Sequence, residues 1–312
     1  MSKTIKLITY NIDGLPSTLD LNDLPWILKP IAWIYFLFKG TTIITINDNG
    51  NKKNDIRHIS EYLSFSDADI ISVQEDFNYH DELIDSLENT YAHGKYLGGF
   101  DLSNLFSKTE WLTHFPFPRF KCDGLNIFTK INRVTFDNEN INRWKKSYGY
   151  FAHANDALTH KGFRYYKLTV DEEINIDAYV LHMDADFYDA ALSPDISKDL
   201  NARRLELRQL VNHIAESNTI NPIIIMGDTN SYDKFEWDKA NIQKNLIDAV
   251  NGIEGLSIQE AIPTNHCDCD KIFYINNDKA KYQLQLDECY FDMTMKASDH
   301  LPFVAKLNIK EK

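Results

Sequence analysis

Apolar runs that stop abruptly at chemically useful side chains constrain this 312-residue chain more than any other feature. The run ending at Tyr10 passes into Asn11 and Asp13, Ile70 to Val73 into Gln74 and Glu75, the run ending at Leu181 into His182, and Ile223 to Met226 into Gly227, Asp228 and Asn230. A strand buried on both faces stays apolar to its end, where polar groups reach solvent or ligand. In open α/β sheets such C-terminal strand ends share one crevice, so these groups are expected to meet without being near in sequence. Asp270 and the Asp299–His300 pair instead stand at strand starts, before KIFYI and LPFVAKL. They can join the crevice only if their strands run antiparallel to the others, so a mixed sheet is expected. That argues against a purely parallel dinucleotide-binding fold, and the chain has no GxGxxG or GxxxxGK[ST] phosphate loop.

Strand-like runs at Ile5–Tyr10, Phe163–Val170, Ile176–Leu181, Ile272–Ile275 and Phe303–Ile309 alternate with helical spacing at Ile56, Ile59 and Leu63 and over 201–217. No repeat, low-complexity tract or linker divides the chain, which predicts one α/β domain over 1–312 with an apolar insert at about 21–48. The N-terminal sequence lacks the apolar stretch of a secretory signal, so the chain as given is expected to be cytoplasmic.

The formal charge of −13 bears on partners, because nucleic-acid affinity rests largely on Lys and Arg neutralising phosphates. Duplex binding would need a local basic patch, for which only Arg203, Arg204 and Arg208 and the adjacent Lys145 and Lys146 offer material. The four cysteines, Cys122, Cys267, Cys269 and Cys289, form no CxxC pair and are too few for a disulfide framework. His266, Cys267 and Cys269 hint at a soft metal, but the second half of a zinc site is missing, which favours free structural thiols.

Hard oxygen ligands such as Glu75 and Asp299 with the Asn11 amide suit Mg²⁺, which keeps several waters and needs only one or two carboxylates. A neutral imidazole nearby can accept or donate a proton near pH 7. Each piece also has a plain structural reading. Asn11 and Asp13 could shape a turn, Glu75 a solvated strand end, Asp228 with Asn230 an Asx-type turn, and His182 a satisfied strand-end histidine. Their joint occurrence is what independent turns do not explain.

The motifs TYNIDGL, SVQED, LHMD, MGDTN, DKIFY and SDH, in that order, resemble those of the endonuclease/exonuclease/phosphatase superfamily, and the match spans nearly the whole chain. The resemblance implies a four-layer α/β sandwich, two packed mixed β-sheets with helices on the outer faces. It implies a metal-dependent phosphoric diester hydrolase using Mg²⁺, with Mn²⁺ as a substitute, and in-line attack by water. It places Asn11 and Glu75 at the central metal, with Asp13 and Asp299 helping to hold it, often through water. Asp228 and Asn230 would orient the nucleophile and contact the scissile phosphate, and His182 would bind a phosphate oxygen. His300 would act as general base or phosphate ligand, oriented by Asp270.

Two branches compete for the substrate. NIDGL and GDTN resemble abasic-site endonucleases and tyrosyl-DNA phosphodiesterases, whereas DGLNIFTK, DALTHKGF, LHMD and ARRLELRQL before IIIMGD resemble neutral sphingomyelinases and their bacterial relatives. The second set runs over roughly 123–230 and carries more weight, which implies a sphingomyelinase-like lipid or small phosphodiester as substrate. A nuclease or DNA-end phosphodiesterase is the alternative, and a catalytically silent phosphate-binding module a further one. The insert LPWILKPIAWIYFLFKG is too short for a membrane span of roughly 20 residues and is interrupted by Lys29 and Pro30. It reads either as a buried hairpin or as an interfacial wedge, with Trp26, Trp33, Tyr35 and Phe36 at headgroup level and Lys29 and Lys39 near anionic phosphates. Trp111, Phe115, Phe117 and Phe120 could share that rim, and Lys161 beside Gly162 could approach a phosphate.

Overall fold

A computed structural model describes residues 3–14, 49–77, 79–98, 100–101, 119–145, 159–185, 196–232 and 236–312. Strand β1 (Lys3–Asn11) shows how the sequence sets the architecture. Its side chains alternate, with Ile5 and Leu7 packing into one apolar cluster and Ile8 and Tyr10 into another. A strand covered on both faces cannot afford polar residues before its end. The same burial holds for β2 (Ile70–Gln74), β9 (Ile174–His182) and β10 (Ile223–Asp228), the four runs whose ends the sequence singles out.

The first sheet adds β3 (Tyr91–His93), β6 (Asn126–Lys130), β13 (Tyr282–Phe291) and β14 (Phe303–Glu311), in the order β13-β14-β1-β2-β6-β3. The second joins β7 (Val134–Arg143), β8 (Gly162–Val170), β11 (Leu256–Glu260) and β12 (Asp270–Asn277) in the order β11-β12-β10-β9-β8-β7. A small ribbon pairs β4 (Phe100–Asp101) with β5 (Arg119–Phe120). Each large sheet has one parallel pair at its centre, β1 with β2 and β9 with β10, flanked by antiparallel strands. Parallel neighbours need a crossover connection. Helix α1 (Asn49–Phe65) lies between β1 and β2 in the chain, and α3 (Ile196–Ser217) between β9 and β10.

The apolar faces fall into three layers. Between the sheets, Ile5, Leu7 and Ile127 meet Tyr166, Val180, Met226 and Ile272. Outside the first sheet, Ile8, Ile71 and Val73 pack on Ile56, Ile59 and Leu63 of α1 and on Leu83 and Leu87 of α2 (His80–Leu87). Outside the second, Tyr179, Ile225 and Phe273 pack on Leu207, Leu210 and Ile214 of α3 and, beyond the short α4 (Glu236–Asn241), on Leu246 and Val250 of α5 (Gln243–Asn251). This is the expected four-layer sandwich of two mixed sheets. Among the described residues no helix is long and apolar enough to cross a membrane.

One buried ion cluster pins the second sheet to the loop before β6. Arg164 on β8 is fully buried and donates to both oxygens of Asp123 at 2.7 and 2.9 Å, to Glu139 at 2.7 Å and to the Lys95 carbonyl. Burial would lower the guanidinium's pKa, but Asp123, then Tyr166 and Glu139, raise it well above its ordinary value. Removing one partner of such a cluster leaves uncompensated buried charge, so Arg164→Met should cost about 3–5 kcal/mol of unfolding free energy. Denaturant titration measures it, and a loss below about 1 kcal/mol would mean that Asp123 and Glu139 find other donors or water.

Candidate active site

Register brings the polar strand ends into line. Asp228 at the end of β10 stands opposite His182 on β9 and opposite Asp270 on β12, so three functional groups sit abreast across neighbouring strands. In the first sheet Asn11 at the end of β1 is level with Gln74, and β14, antiparallel to β1, begins three residues after His300. Both sheets present these ends on the same side. The antiparallel setting expected for Asp270 and His300 is therefore present. The crevice is not the edge of one sheet, however, but the seam between two.

Contacts across the seam are short. Asn11 Nδ2 donates to Glu75 Oε1 at 3.2 Å and, from the first sheet to the second, to Asp228 Oδ2 at 3.1 Å. His182 Nε2 lies 3.4 Å from Asp228 Oδ2 and 4.0 Å from Glu75 Oε1. His300 Nδ1 is 2.6 Å from Asp270 Oδ2, while its Nε2 faces Asp228 at 3.9 Å. Asn11, His182, Asp228 and Asp270 are each 1% exposed. Asn230 lies behind them, its Nδ2 donating to the Met183 carbonyl at 2.9 Å.

The turn readings prove true without displacing the functional ones. The Asn230 N–H donates to Asp228 Oδ1 at 2.7 Å, and the Asp13 N–H to Asn11 Oδ1 at 3.1 Å, both Asx-type turns. Each turn occupies one side-chain atom and leaves the other, Asp228 Oδ2 or Asn11 Nδ2, turned into the seam. The backbone is held tightly there: Asp13, Glu75 and Asn230 adopt φ of 47°, 62° and 48°, a left-handed region that costs a residue with Cβ on the order of 1–2 kcal/mol. Gly14 permits this approach, since a Cβ on it would stand 2.1 Å from the Glu75 carbonyl oxygen.

Charge at the site is set by these neighbours. Burial alone would raise the Asp228 carboxyl, but the His182 hydrogen bond and the charges of His182, His300 and Lys161 hold it well below the usual carboxylate range. Burial pushes Asp270 up to about 7 against the pull of His300, with Asp228 and Asp268 adding to the rise. For His300, burial opposes the charged form, yet Asp270 and then Cys269 raise it well above an ordinary histidine. The arrangement thus presents an anionic Asp228 beside a proton-bearing His300.

Not every expected group converges equally. Asp299 is exposed at the rim, its Oδ1 3.3 Å from Ser298 Oγ, while Gln74 is spent inside the first sheet on Thr9 and Ser72. Lys161 is buried and donates to the Met183 carbonyl at 3.2 Å, and it also acts on Asp228. Sequence reasoning missed Ser298, whose Oγ donates to the Asn11 carbonyl at 2.8 Å and accepts from the His300 N–H at 3.2 Å; its place in SDH was the available signal. It also missed Trp144, whose indole donates to the His182 carbonyl at 2.8 Å. The insert at 21–48, with Trp111, Phe115, Phe117 and Lys146, lies outside the described residues, as does the side chain of Phe120.

As a cation site the seam fits a hard ion. Two carboxylates, Glu75 and Asp228, meet there beside one amide and one imidazole, a concentration of negative charge that Mg²⁺ would relieve, with Glu75 Oε1 and Asp228 Oδ2 as its oxygen donors.

No protein-family model matches the sequence, and a search of curated proteins finds no significant match. Solved structures do match, and they have the endonuclease/exonuclease/phosphatase fold, which is therefore the fold of this chain. D. rerio TDP2 with single-strand DNA product is 14% identical, with 98% of this chain and 99% of that chain covered at a TM-score of 0.57. A doubly substituted Staphylococcus aureus beta toxin with bound magnesium ions is 15% identical over 99% of this chain and 100% of that one, at 0.59. The human Nocturnin catalytic domain with bound sulfate is 17% identical over 99% and 98%, at 0.54.

Proposed function

We propose that this chain is a Mg²⁺-dependent phosphodiesterase that hydrolyses a lipid or small-molecule phosphodiester of the sphingomyelinase type. The observation that carries the reading is Asp228, buried at the seam between the His182 and His300 imidazoles and hydrogen-bonded across the sheets to Asn11. A phosphodiester resists attack because its negative charge repels nucleophiles, so its hydrolysis requires that charge to be met and a water to be aimed. Glu75 and, with its amide turned so that Oδ1 rather than Nδ2 faces the ion, Asn11 would hold Mg²⁺, with Asp13 and Asp299 acting through water; the bound ion would supply Lewis-acid neutralisation of a phosphoryl oxygen. Asp228, kept anionic, accepts a hydrogen bond from the attacking water, and Asn230 holds the loop that fixes its carboxylate. His182 Nε2 meets a nonbridging oxygen as negative charge grows on it. His300 Nε2 offers its proton on the opposite side of Asp228, with Asp270 fixing the ring through Nδ1. The fold shared with beta toxin, which binds magnesium, and with TDP2, solved with a DNA product, supports the reaction class.

Substrate follows from charge and from the insert. A net charge of −13 disfavours nucleic acid, and an aromatic stretch after the first site strand suits a lipid surface. One large aromatic at a bilayer contributes on the order of 1–3 kcal/mol, roughly five- to 150-fold in binding. Trp33→Asp with Phe36→Asp is expected to cut hydrolysis of sphingomyelin vesicles at least about tenfold while sparing a water-soluble phosphodiester. Equal loss on both substrates with a lowered melting temperature would make the insert part of the core. Oligonucleotide binding that is tight at low salt and collapses at moderate salt, with no vesicle turnover, would put the nuclease reading in its place.

A further inference from the structure

The segment 266–270 brings to the seam two donors, Asp268 and Cys269, that the reaction above leaves unused. Asp268, Cys269, Asp270 and His300 each offer one ligand-type atom, and these atoms lie within 4.8 Å of one another. Cys269 Sγ is 3.8 Å from His300 Nδ1, and Asp270 Oδ2 is 2.6 Å from that same nitrogen. Zinc bonds of about 2.3 Å to sulfur and about 2.0 Å to imidazole place those two atoms about 3.5 Å apart at a tetrahedral angle. The thiol and imidazole already stand near that spacing, and the His300–Asp270 pair would open by roughly 0.7 Å to admit the ion. A separate observation points the same way: Asp270 Oδ1 is buried and has no hydrogen-bond partner among the described residues. His266, its Nε2 3.5 Å from Asp268 Oδ2, connects the cluster to the half-exposed surface.

We propose that Asp268, Cys269, Asp270 and His300 form a zinc site whose occupation withdraws His300 from the reaction. The binding stands on geometry alone, whereas the inhibition rests on the phosphodiesterase reading. As the Zn–S and Zn–N bonds form, the thiol proton and the Nδ1 proton pass to solvent, and the ion sheds water without change of oxidation state. The donor set separates the two metals. Thiolate and imidazole select zinc, while Mg²⁺ prefers octahedral oxygen and goes to Glu75 and Asn11. The sequence showed only His266, Cys267 and Cys269; the missing half of the site comes from His300, 31 positions from Cys269 and brought in by β14.

The test titrates the Mg²⁺-loaded chain with Zn²⁺ by calorimetry in buffers of different ionisation enthalpy, and with Co²⁺ by absorption spectroscopy. One ion per chain, net proton release and a thiolate-to-cobalt charge-transfer band are expected. Cys269→Ser and Asp268→Asn should lose at least about tenfold in Zn²⁺ affinity and raise by the same factor the Zn²⁺ concentration that halves each variant's own zinc-free turnover. Cys267→Ser, at the exposed neighbouring thiol, should change neither. A missing thiolate band, or unchanged Zn²⁺ affinity in Cys269→Ser, overturns the site; if that variant does not fold, Asp268→Asn decides through the same affinity. Zinc that binds through Cys269 yet leaves turnover intact overturns the inhibition. A chain that hydrolyses no phosphodiester fails the functional reading instead, and calorimetry and cobalt spectra still decide the site.

Discussion

Glu75→Gln should abolish Mg²⁺-dependent hydrolysis, by about a thousandfold or more, with a melting temperature close to that of the wild type. The size follows from the charge an ion meets at the phosphoryl group, several kcal/mol, each 1.4 kcal/mol being about tenfold in rate. The fold should survive because Glu75 ends a strand and fills no core: its side chain is 18% exposed, and a glutamine carbonyl can still accept from Asn11 Nδ2. Glutamine also tolerates the left-handed backbone at this position about as well as glutamate. A Mg²⁺ titration of both proteins separates lost affinity from lost chemistry. Turnover and Mg²⁺ affinity both equal to wild type would remove Glu75 from the metal and with it the reaction proposed.

His300→Ala should lower kcat by about a hundred- to ten-thousandfold, the usual contribution of a positioned proton donor. Asp270→Asn should cost less, and the double variant should match His300→Ala. Groups that act as a unit do not contribute separately, and Asp270 reaches the reaction only through the 2.6 Å contact with His300 Nδ1. The zinc site shares these residues, so the comparison is made in a chelator selective for zinc over magnesium. Losses that multiply would give Asp270 a role of its own at the phosphate and dissolve the dyad.

Much of this was legible in the chain, and the reason is burial. Strands β1, β2, β8, β9, β10, β12 and β14 read as apolar runs because most lie centrally, covered by the opposite sheet and by helices. Strands β3, β7, β11 and β13 lie at sheet edges, and their polar stretches, such as VTFDNENINR, carry no such run. Strand β6 was read only as part of a motif. The polar groups at strand ends were visible for the same reason, as interruptions of an apolar pattern. Which sheet each belonged to was not visible, since a run of isoleucines does not say what it pairs with. Asn11 and Asp228 therefore looked like neighbours in one sheet when they are partners across two. Cys269 showed only as half of a soft-metal site, because His300, the imidazole it stands beside, arrives with another strand. Ser298 was read past because a serine in a turn is ordinary until the carbonyl it holds is known.

The pairing of β1 with β14, Lys3 beside Ile309, has a consequence for how the protein is made. The first strand of its sheet to leave the ribosome occupies the middle of that sheet, and one of its two neighbours emerges some three hundred residues later. Until then β1 offers an unpaired apolar edge, the kind of surface on which nascent chains aggregate or recruit chaperones. Such distant pairings also fold slowly, because a long loop must close before any contact rewards it. The same delay leaves the seam unassembled in a chain that still lacks β14, for Asn11 waits on one flank for Asp228 and on the other for the turn that delivers His300. Emergence of β14 is thus itself the step that brings the two halves of the seam together.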